Sequence, residues 1–372
     1  MPANNFAGFW KNKSKGVIYI FSLLLCCLWV NKAAAQKSKE QQLHQQIDAL
    51  IDKANTSFNG VVYIVQEQKV LYAKAFGYAD IAKKIPLKRE SPFLIGSISK
   101  QVTAVLVLQE VEKGRIDLRA RISKYLPGLK EPWKDSVTVH QLLAHTHGIP
   151  EDGSDRLLFS PGRQFQYSQI GFRLLSAILE KVNGKTFEQQ VTALFKRCGM
   201  THAAYPTMLA ESKAVKGHIQ EANGTIRKIE PAKSLEKIPV AAGGFIATAD
   251  DVLLWNRMLH GGKLLSPKYY DLMMTSQPNA IRIHPVFGRI LYGYGITVDK
   301  GSPLQYGQTG YAPGYPAMDY YFPQEKTTII VLSNKAADEK DLKKTFAMHT
   351  LLLDKVREYV KKQLVPGTGK AR

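Results

Sequence analysis

Ser97 and Lys100 have the residue types and the spacing for nucleophilic chemistry. They form the pattern S-x-x-K, and residues three apart project from the same face of a helix. A serine hydroxyl is a poor nucleophile until a neighbouring base takes its proton, and a partly desolvated lysine can be that base. Ser97 also follows Gly96 at the start of a helical pattern, where backbone N–H groups favour a developing anion. The pattern is therefore compatible with a serine nucleophile at position 97 that Lys100 activates.

The S-x-x-K pattern is weak evidence by itself, because Ser234–Lys237 matches it too. That second pair lies in a polar stretch before Pro239, with no apolar helix behind it, and we discount it. For Ser97 and Lys100 the structural alternative is a helix N-cap beside a solvated lysine. Motifs elsewhere in the chain are needed to distinguish a catalytic pair from a helix cap beside a solvated lysine.

Two further motifs follow along the chain. Tyr167–Gln169 (YSQ) stands directly before a helical pattern that begins at Ile170, and Gln308–Gly310 (QTG) stands on what reads as an edge strand and its turn. The order S-x-x-K, Y-S-x and x-T-G resembles the penicillin-recognising serine hydrolases. Within that family the chain is most similar to the class C β-lactamases and their esterase, D-aminopeptidase and D,D-carboxypeptidase relatives.

Two more segments strengthen the resemblance. Leu142–Gly148 (LLAHTHG) is similar to the family's L-L-x-H-T-S-G segment, and Ala242–Asp251 (AGGFIATADD) is similar to its G-G-x-x-S-T-A-x-D segment. The five matches occur in the family's order between about Asn59 and Asn334. Such an ordered set is far more specific than any single motif.

The resemblance implies a role for each matching residue. Ser97 is acylated by a carbonyl substrate, while Lys100 and Tyr167 together remove the serine proton and then protonate the leaving group. The backbone N–H groups of Ser97 and Tyr311 form the oxyanion hole, and no metal or cofactor is needed. The same resemblance implies a substrate-binding set that consists of Gln169, Gln308, Thr309, Gly310 and Tyr311.

Two positions depart from the family pattern. Gln169 stands where the family has asparagine, and it is one methylene longer. Gln308 stands where the family has lysine or histidine, a cation that helps to hold a substrate carboxylate and keeps the tyrosine pKa low. Without that cation, uncharged esters or amides are the expected substrates. The alternatives are a D-amino-acid peptidase or weak β-lactamase acting on cell-wall-like material, and a catalytically degenerate penicillin-binding-like module.

The implied fold is α/β (α+β) and β-lactamase/transpeptidase-like, an antiparallel sheet flanked by helices with an inserted all-helical domain. The hydrolase domain is expected at 36–366, with an α/β part at about 36–105 and 238–366, a helical part at about 106–237, and a basic tail at 367–372. Local patterns agree, since they predict strands at both ends of the chain and helices between them. The later predicted elements are Ile290–Val298, the hairpin of Tyr315–Phe322 and Thr327–Ser333, and a long helix at 337–364.

The N-terminus has the features of a secretory signal peptide over residues 1–35. Lys11, Lys13 and Lys15 precede the apolar run Val17–Val30, and Ala33–Ala35 supply small residues for cleavage. The run is shorter than the ~20 residues of a membrane-spanning helix, so we expect a periplasmic or extracellular protein without a stable span. A retained anchor is the alternative. The segment holds four lysines and no acidic residue, so its removal lowers the net charge from +20 to +16.

The remaining residues exclude several classes of protein. The positive charge is spread along the chain and no nucleic-acid motif accompanies it. Cys198 is the one cysteine after the signal segment, so a disulfide framework is excluded and we expect a buried, unreactive thiol. His140, His145 and His147 lie close together, but no carboxylate pattern completes a zinc site. We expect structural roles for these histidines.

Overall fold

The computed structural model describes residues 38–53 and 58–364. The predicted signal peptide at 1–35 and the predicted basic tail at 367–372 lie outside these residues. The described residues divide between two compact units at Ala49 and Leu50. In the first unit the structure describes the beginning of helix α1 (38–53), and all that follows concerns the second. Over the described ranges, no helix is long and apolar enough to cross a membrane.

The strands of the second unit are short, and most of them lie near the two ends of the chain. In order they are β1 (Gly60–Gln66), β2 (Lys69–Phe76), β3 (Tyr78–Asp80), β4 (Ile85–Pro86), β5 (Phe93–Leu94), β6 (Gly217–Gln220), β7 (Ile226–Ile229), β8 (Ile246–Ala247), β9 (Ile281–His284), β10 (Gly288–Tyr292), β11 (Thr297–Asp299), β12 (Gln305–Ala312), β13 (Tyr315–Phe322), β14 (Thr327–Ser333) and β15 (Lys335–Ala336).

Eight of these strands form one antiparallel sheet in the order β2-β1-β14-β13-β12-β11-β10-β9. Strand β1 pairs with both β2 and β14, so strands from the beginning and the end of the second unit are neighbours in the sheet. Strand β14 is rich in β-branched residues and is buried along its whole length, as expected for a strand covered on both faces. The sheet predicted from both termini is therefore confirmed.

Most helices of the second unit lie between strands β5 and β9, and the last two follow β15. They are α2 (Ser99–Glu112), α3 (Val139–Leu143), α4 (Ile170–Asn183), α5 (Phe187–Cys198), α6 (Leu209–Ser212), α7 (Pro231–Leu235), α8 (Val240–Gly243), α9 (Ala249–His260), α10 (Pro267–Met274), α11 (Leu342–Thr345) and α12 (Ala347–Leu364). Three of them begin with reciprocal capping boxes, at Thr138, Thr186 and Thr248. The box at Thr248 uses Asp251, as the sequence predicts.

Helix α2 runs through the centre of the core. Its apolar side chains are buried on every side, and so are the polar side chains of Gln101 and Thr103. These polar groups have partners, because Trp255 Nε1 donates to Gln101 Oε1 at 2.9 Å and Thr103 Oγ1 donates to the carbonyl of Ala241 at 2.7 Å. A helix surrounded in this way is a rigid support for the residues at its N-terminus.

Three predicted elements differ from the structure. The predicted strand Ile290–Val298 is instead a hairpin of β10 and β11, because Gly293 and Gly295 turn the chain between them, Gly295 with φ +69°. The long helix predicted at 337–364 begins only at Ala347, after the short α11. The predicted helical part at 106–237 also holds strands β6 and β7, which form a small sheet with β15.

Candidate active site

Ser97 lies in a 3₁₀ turn, Gly96–Ile98, that leads directly into α2. The turn needs Gly96, because its φ is +52° and a Cβ there would stand 2.4 Å from the backbone nitrogen of Tyr311. Ser97 is partly exposed, whereas both neighbours in the turn are buried. The predicted placement of the serine at a helix start is confirmed.

Lys100 lies one turn further on, and the protein buries it completely. Its Nζ atom is 3.2 Å from Ser97 Oγ and donates a second hydrogen bond, of 2.7 Å, to the carbonyl oxygen of Ala242. Burial lowers the pKa of Lys100 from its usual value, against the opposing influence of Tyr167, so a larger fraction of the amine is neutral than in a solvated lysine. The alternative of a solvated lysine beside a helix cap is therefore wrong.

The second S-x-x-K match has a structural role. Ser234 is buried in α7, and its hydroxyl donates a 2.7 Å hydrogen bond to the carbonyl oxygen of Pro313. Lys237 is exposed, and no hydrogen bond in the described part of the chain joins it to Ser234. This pair lacks the buried amine that makes Ser97 a candidate nucleophile.

The Tyr167 ring lies against the side chains of Lys100 and Arg282. Lys100 Nζ is 4.8 Å from the centre of the Tyr167 ring, and Arg282 Cζ is 4.0 Å from it. The hydroxyl oxygen of Tyr167 is buried and interacts with Ser97 and Lys100. Burial alone would raise the pKa of Tyr167, but the charges of Lys100 and Arg282 outweigh it and hold the pKa below its usual value.

His145 holds the tyrosine segment in place. Its ring lies 4.6 Å from the Tyr167 ring, and its Nδ1 atom accepts a 3.2 Å hydrogen bond from the backbone N–H of Ser168. Complete burial holds the pKa of His145 well below its usual value, so the ring is neutral. His147 accepts from the backbone N–H of Ile149, and the His140 ring contacts the hydroxyl of Tyr294. In the described ranges no cluster of three or more His, Cys, Asp or Glu could hold a metal ion.

Strand β12 brings a second backbone N–H beside Ser97. A Cβ at Gly310 would lie 2.0 Å from the carbonyl oxygen of Ile95 and 3.2 Å from the nitrogen of Ser97, so the two backbones touch here. Together with the approach of Gly96 to Tyr311, this places the nitrogens of Ser97 and Tyr311 side by side. The centre of the Tyr311 ring is 6.5 Å from the centre of the Phe346 ring. Tyr311 therefore approaches the Ser97 turn with its backbone and not with its side chain.

The edge position predicted for Gln308–Gly310 is wrong for the strand as a whole. Strand β12 lies inside the sheet and pairs with β13 along its length. Its pairing with β11 involves only Gln305–Gly307, so the stretch from Gln308 onward has the Ser97 turn beside it instead of a strand. Because β11 does not pair with Gln308–Gly310, the x-T-G motif can lie directly beside the Ser97 turn.

Gln308 and Thr309 contact side chains from β9 and β10. Gln308 is fully buried: its Oε1 atom accepts from Arg282 Nη1 at 3.5 Å, and its Nε2 atom donates to the hydroxyl of Tyr292 at 3.0 Å. Thr309 Oγ1 lies 2.8 Å from His284 Nε2. Both ends of the Gln308 amide are engaged inside the protein.

Gln169 lies at the N-cap of α4. Its backbone N–H donates to Glu151 Oε1 at 2.7 Å, while its side-chain Oε1 is buried without a hydrogen-bond partner. A buried amide oxygen with no partner is unfavourable, and a donor from a ligand would satisfy it. No hydrogen bond in the described residues joins this side chain to Ser97, Lys100 or Tyr167.

A sequence model of the Beta-lactamase family matches residues 47–352. The chain belongs to this family. The putative penicillin-binding protein PbpX of Bacillus subtilis (strain 168) is 30% identical over 326 residues, 82% of this chain and 78% of PbpX.

Solved structures are similar to this chain as well. The octameric penicillin-binding protein homologue from Pyrococcus abyssi has a TM-score of 0.70 and 25% identity over 84% of this chain and 77% of that one. D-amino acid amidase from Ochrobactrum anthropi SV3 shares the fold, with a TM-score of 0.75 and 21% identity over 87% of this chain and 100% of the amidase.

Membership of the Beta-lactamase family confirms the recognition made from the ordered motifs, and the fold neighbours confirm the fold class. Ser97, Lys100, Tyr167 and the Tyr311 backbone come together in one place, as the family resemblance implies. Gln308 and Thr309 lie beside them but are held by residues from β9 and β10.

Sequence reasoning missed Arg282 and His284. The argument that Gln308 leaves this part of the site without a cation is wrong, because the Arg282 guanidinium lies against both Gln308 and Tyr167. A signal was available in the segment IRIH at 281–284, where charged and apolar residues alternate with a period of two. The structure buries the polar pair and leaves Ile283 74% exposed, the reverse of the usual strand pattern.

Proposed function

We propose that this protein is an exported serine hydrolase that cleaves an ester or amide through an acyl-enzyme on Ser97. The observation that carries the proposal is the fully buried Lys100, with its Nζ atom 3.2 Å from Ser97 Oγ. A neutral amine at this distance can accept the serine proton, which a solvated lysine at neutral pH cannot do.

In the first step Ser97 Oγ bonds to the carbonyl carbon of the substrate, and its proton passes to the pair of Lys100 and Tyr167. Lys100 and Tyr167 each shift the pKa of the other, and we assign the base to the pair. The carbonyl oxygen takes up negative charge between the backbone N–H groups of Ser97 and Tyr311. Such a donor pair stabilises the tetrahedral intermediate, and the loss of one donor costs about 3 kcal/mol.

The intermediate then collapses, and the bond to the leaving alcohol or amine breaks as that group takes the proton from the pair. A water molecule next attacks the Ser97 ester and gives its proton to the same pair. Breakage of the bond to Ser97 Oγ releases the acid, and the serine recovers its proton. No step draws on a group outside the chain other than substrate and water.

The substrate is proposed as a small-molecule or peptide-like acyl compound. Fold similarity to D-amino acid amidase and kinship with a putative penicillin-binding protein support a D-amino-acid peptidase or weak β-lactamase acting on cell-wall-like material as the second candidate. Export through the predicted signal peptide would bring the protein to such material. A degenerate module that binds without turnover is the alternative from another class.

Hydrolysis of p-nitrophenyl acetate by the protein, by Ser97→Ala and by Ser234→Ala is the direct test. We expect turnover in the first and third proteins only, since Ser234 is the matched serine of the second S-x-x-K pair. Labelling of Ser97 by a fluorophosphonate would support the enzyme. Equal hydrolysis by Ser97→Ala would remove Ser97 as the nucleophile, whereas no labelling and no turnover at all would favour the binding module.

A further inference from the structure

A cavity of about 630 Å³ lies beside the end of β2, strand β3 and the small sheet of β6, β7 and β15. None of its described lining residues belongs to the Ser97 site. Its volume is within the range of ~300–1,000 Å³ that is usual for small-molecule sites. Most of its wall is apolar or aromatic and consists of Ile51, Phe58, Phe76, Tyr78, Ile81 and Ile226. The cavity therefore has the size and the lining for an apolar ligand.

The apolar wall continues to the protein surface. Tyr78 is 40% exposed, and Ile226 is 42% exposed on β7, the edge strand of the small sheet. Phe58 is buried, and the centre of its ring is 6.0 Å from that of Phe76. Exposed apolar side chains that lead into a cavity are typical of a binding site. A ligand can thus enter from solvent past Tyr78 and Ile226.

Lys335 brings an amine to this apolar cavity. On β15 the side chain of Ala336 packs into the core of the small sheet, so that of Lys335 lies on the opposite face, at the cavity. The Lys335 side chain is half-buried, and its amine makes no ion pair or hydrogen bond in the described part of the chain. Burial lowers the pKa of Lys335 from its usual value, and a bound carboxylate would favour its charged form.

The polar residues beside Lys335 on the small sheet already have partners. Lys335 pairs with His218 across the sheet, and His218 pairs with Lys228. Lys228 Nζ is 3.7 Å from the carboxylate of Asp80. His218 Nε2 accepts a 3.2 Å hydrogen bond from the backbone N–H of Ile81, so that nitrogen offers no donor to a ligand. Lys335 is therefore the residue of this row that can bind an anion.

The remaining polar residues of the cavity do not neutralise Lys335. Asp52 lines the cavity but is exposed, and no ion pair joins it to Lys335 in the described ranges. The Asn59 amide is used inside the protein, because its Oδ1 accepts from the Tyr78 N–H at 2.6 Å and its Nδ2 donates to the Tyr78 carbonyl at 2.7 Å. A half-buried amine without a partner, next to an apolar wall, is complementary to a ligand with an apolar chain and an anionic head.

We infer that this cavity is a second ligand site, which binds an aliphatic carboxylate with its chain against Phe76 and Ile226 and its head paired with Lys335. The site is separate from the Ser97 site, so the inference goes beyond the proposed function and does not depend on it. Burial of the chain provides affinity, and the amine selects an anionic head over a cationic one.

The test measures binding to the whole protein by calorimetry, with each ligand below the concentration at which it forms micelles. Decanoate should bind about tenfold more tightly than decyltrimethylammonium, which has the same chain and the opposite charge. Each methylene added between hexanoate and decanoate should tighten binding by about two- to fourfold. Lys335→Met should remove the preference for the anionic head, whereas Lys335→Arg should keep it.

A matched pair of variants locates the ligand. Ile226→Asp places a carboxylate at the edge of the cavity and should weaken decanoate binding by about tenfold. Ile283→Asp changes an apolar residue of β9 that is 74% exposed and does not line the cavity, so it should leave the affinity for decanoate unchanged. Melting temperatures check that all variants are folded. Hydrolysis of p-nitrophenyl acetate is scored separately and tests the proposed function alone.

Three results would overturn the inference. The first is no binding of decanoate, or equal binding of decanoate and decyltrimethylammonium, by the parent protein. The second is a preference for decanoate that survives both Lys335→Met and Ile226→Asp, which would place the ligand elsewhere. The third is a dimer in sedimentation experiments that Ile226→Asp dissociates and that binds no decanoate, which would assign the cavity to a contact between two copies of the chain.

Discussion

Lys100 donates a 2.7 Å hydrogen bond to the backbone carbonyl of Ala242, a residue 142 positions further along the chain. The carbonyl uses one N–H of the amine, and Ser97 Oγ stands at hydrogen-bond distance from the same nitrogen. A neutral amine held in this way has a lone pair available for the serine proton. Helix α8, which contains Ala242, therefore helps to orient the Lys100 amine, the candidate base.

The first prediction concerns Ser97. Ser97→Ala should abolish ester hydrolysis and leave the melting temperature within a few degrees, since the side chain is partly exposed and packs little. Rates with p-nitrophenyl acetate and a thermal melt would check both parts. Retained hydrolysis in a protein of normal stability would remove Ser97 as the nucleophile.

The second prediction concerns the proton-transfer pair. Tyr167→Phe keeps the ring against Lys100 and Arg282, and Lys100→Met keeps most of the buried volume. Each should lower kcat by about 10²-fold or more, because each removes a group that moves the serine proton. Tyr205→Phe is a matched control, as this ring packs on Phe187 and Phe245 away from the turn. Near-normal rates in both pair variants would contradict the assignment.

The third prediction is a pH profile. The charge of Arg282 lowers the pKa of both Lys100 and Tyr167, and the pair must lose a proton before it can act as a base. Removal of that charge should raise the apparent pKa of the pair, so the acid limb of kcat/KM should move to higher pH in Arg282→Met. Arg282→Lys should move it less. An acid limb that stays in place would mean that Arg282 does not act on the pair.

The fourth prediction tests the close approach of β12 to the nucleophile turn. Gly310→Ala places a Cβ 2.0 Å from the Ile95 carbonyl oxygen, so the strand has to shift away from the turn and the Tyr311 N–H moves with it. We expect a loss of kcat of about 10²-fold, equivalent to about 3 kcal/mol. Gly128→Ala is the control, since nothing lies within 4 Å of a Cβ there. Wild-type kcat in Gly310→Ala would exclude the proposed oxyanion hole.

The fifth prediction concerns stability. Burial raises the pKa of Asp319 to about 7, although Asn256 and Gln101 hydrogen-bond to its carboxylate. The folded state then binds the proton more tightly than the unfolded chain, where the pKa is near 3.8, so this contribution to stability is complete below about pH 4 and is lost as the pH rises through 7.

The free energy of unfolding of the wild-type protein should therefore fall as the pH rises from 5 to 8. In Asp319→Asn this fall should be smaller. Urea titrations at both pH values would measure it, with the exposed Asp155→Asn as control. An unchanged difference between the two pH values in Asp319→Asn would show that Asp319 does not ionise in this range.

Much of the fold could be predicted because it depends on neighbours in sequence. The capping box of Thr248 and Asp251 and the hairpin of β13 and β14 follow from residues a few positions apart. The hydrophobic pattern did not predict that residues 290–298 form two strands. An apolar run does not show where glycines reverse the chain.

For the site, the sequence by itself determined that Ser97 and Lys100 share one helix face, since three residues of separation fix that geometry inside a helix. Only the tertiary structure decided that Lys100 is buried and that Arg282 lies over Tyr167. Arg282 and Gln308 are 26 positions apart on strands separated by two others, and the packing of the sheet against the helices brings their side chains together. Local spacing sets which residues share a face, whereas the distance between faces is set by how the elements pack.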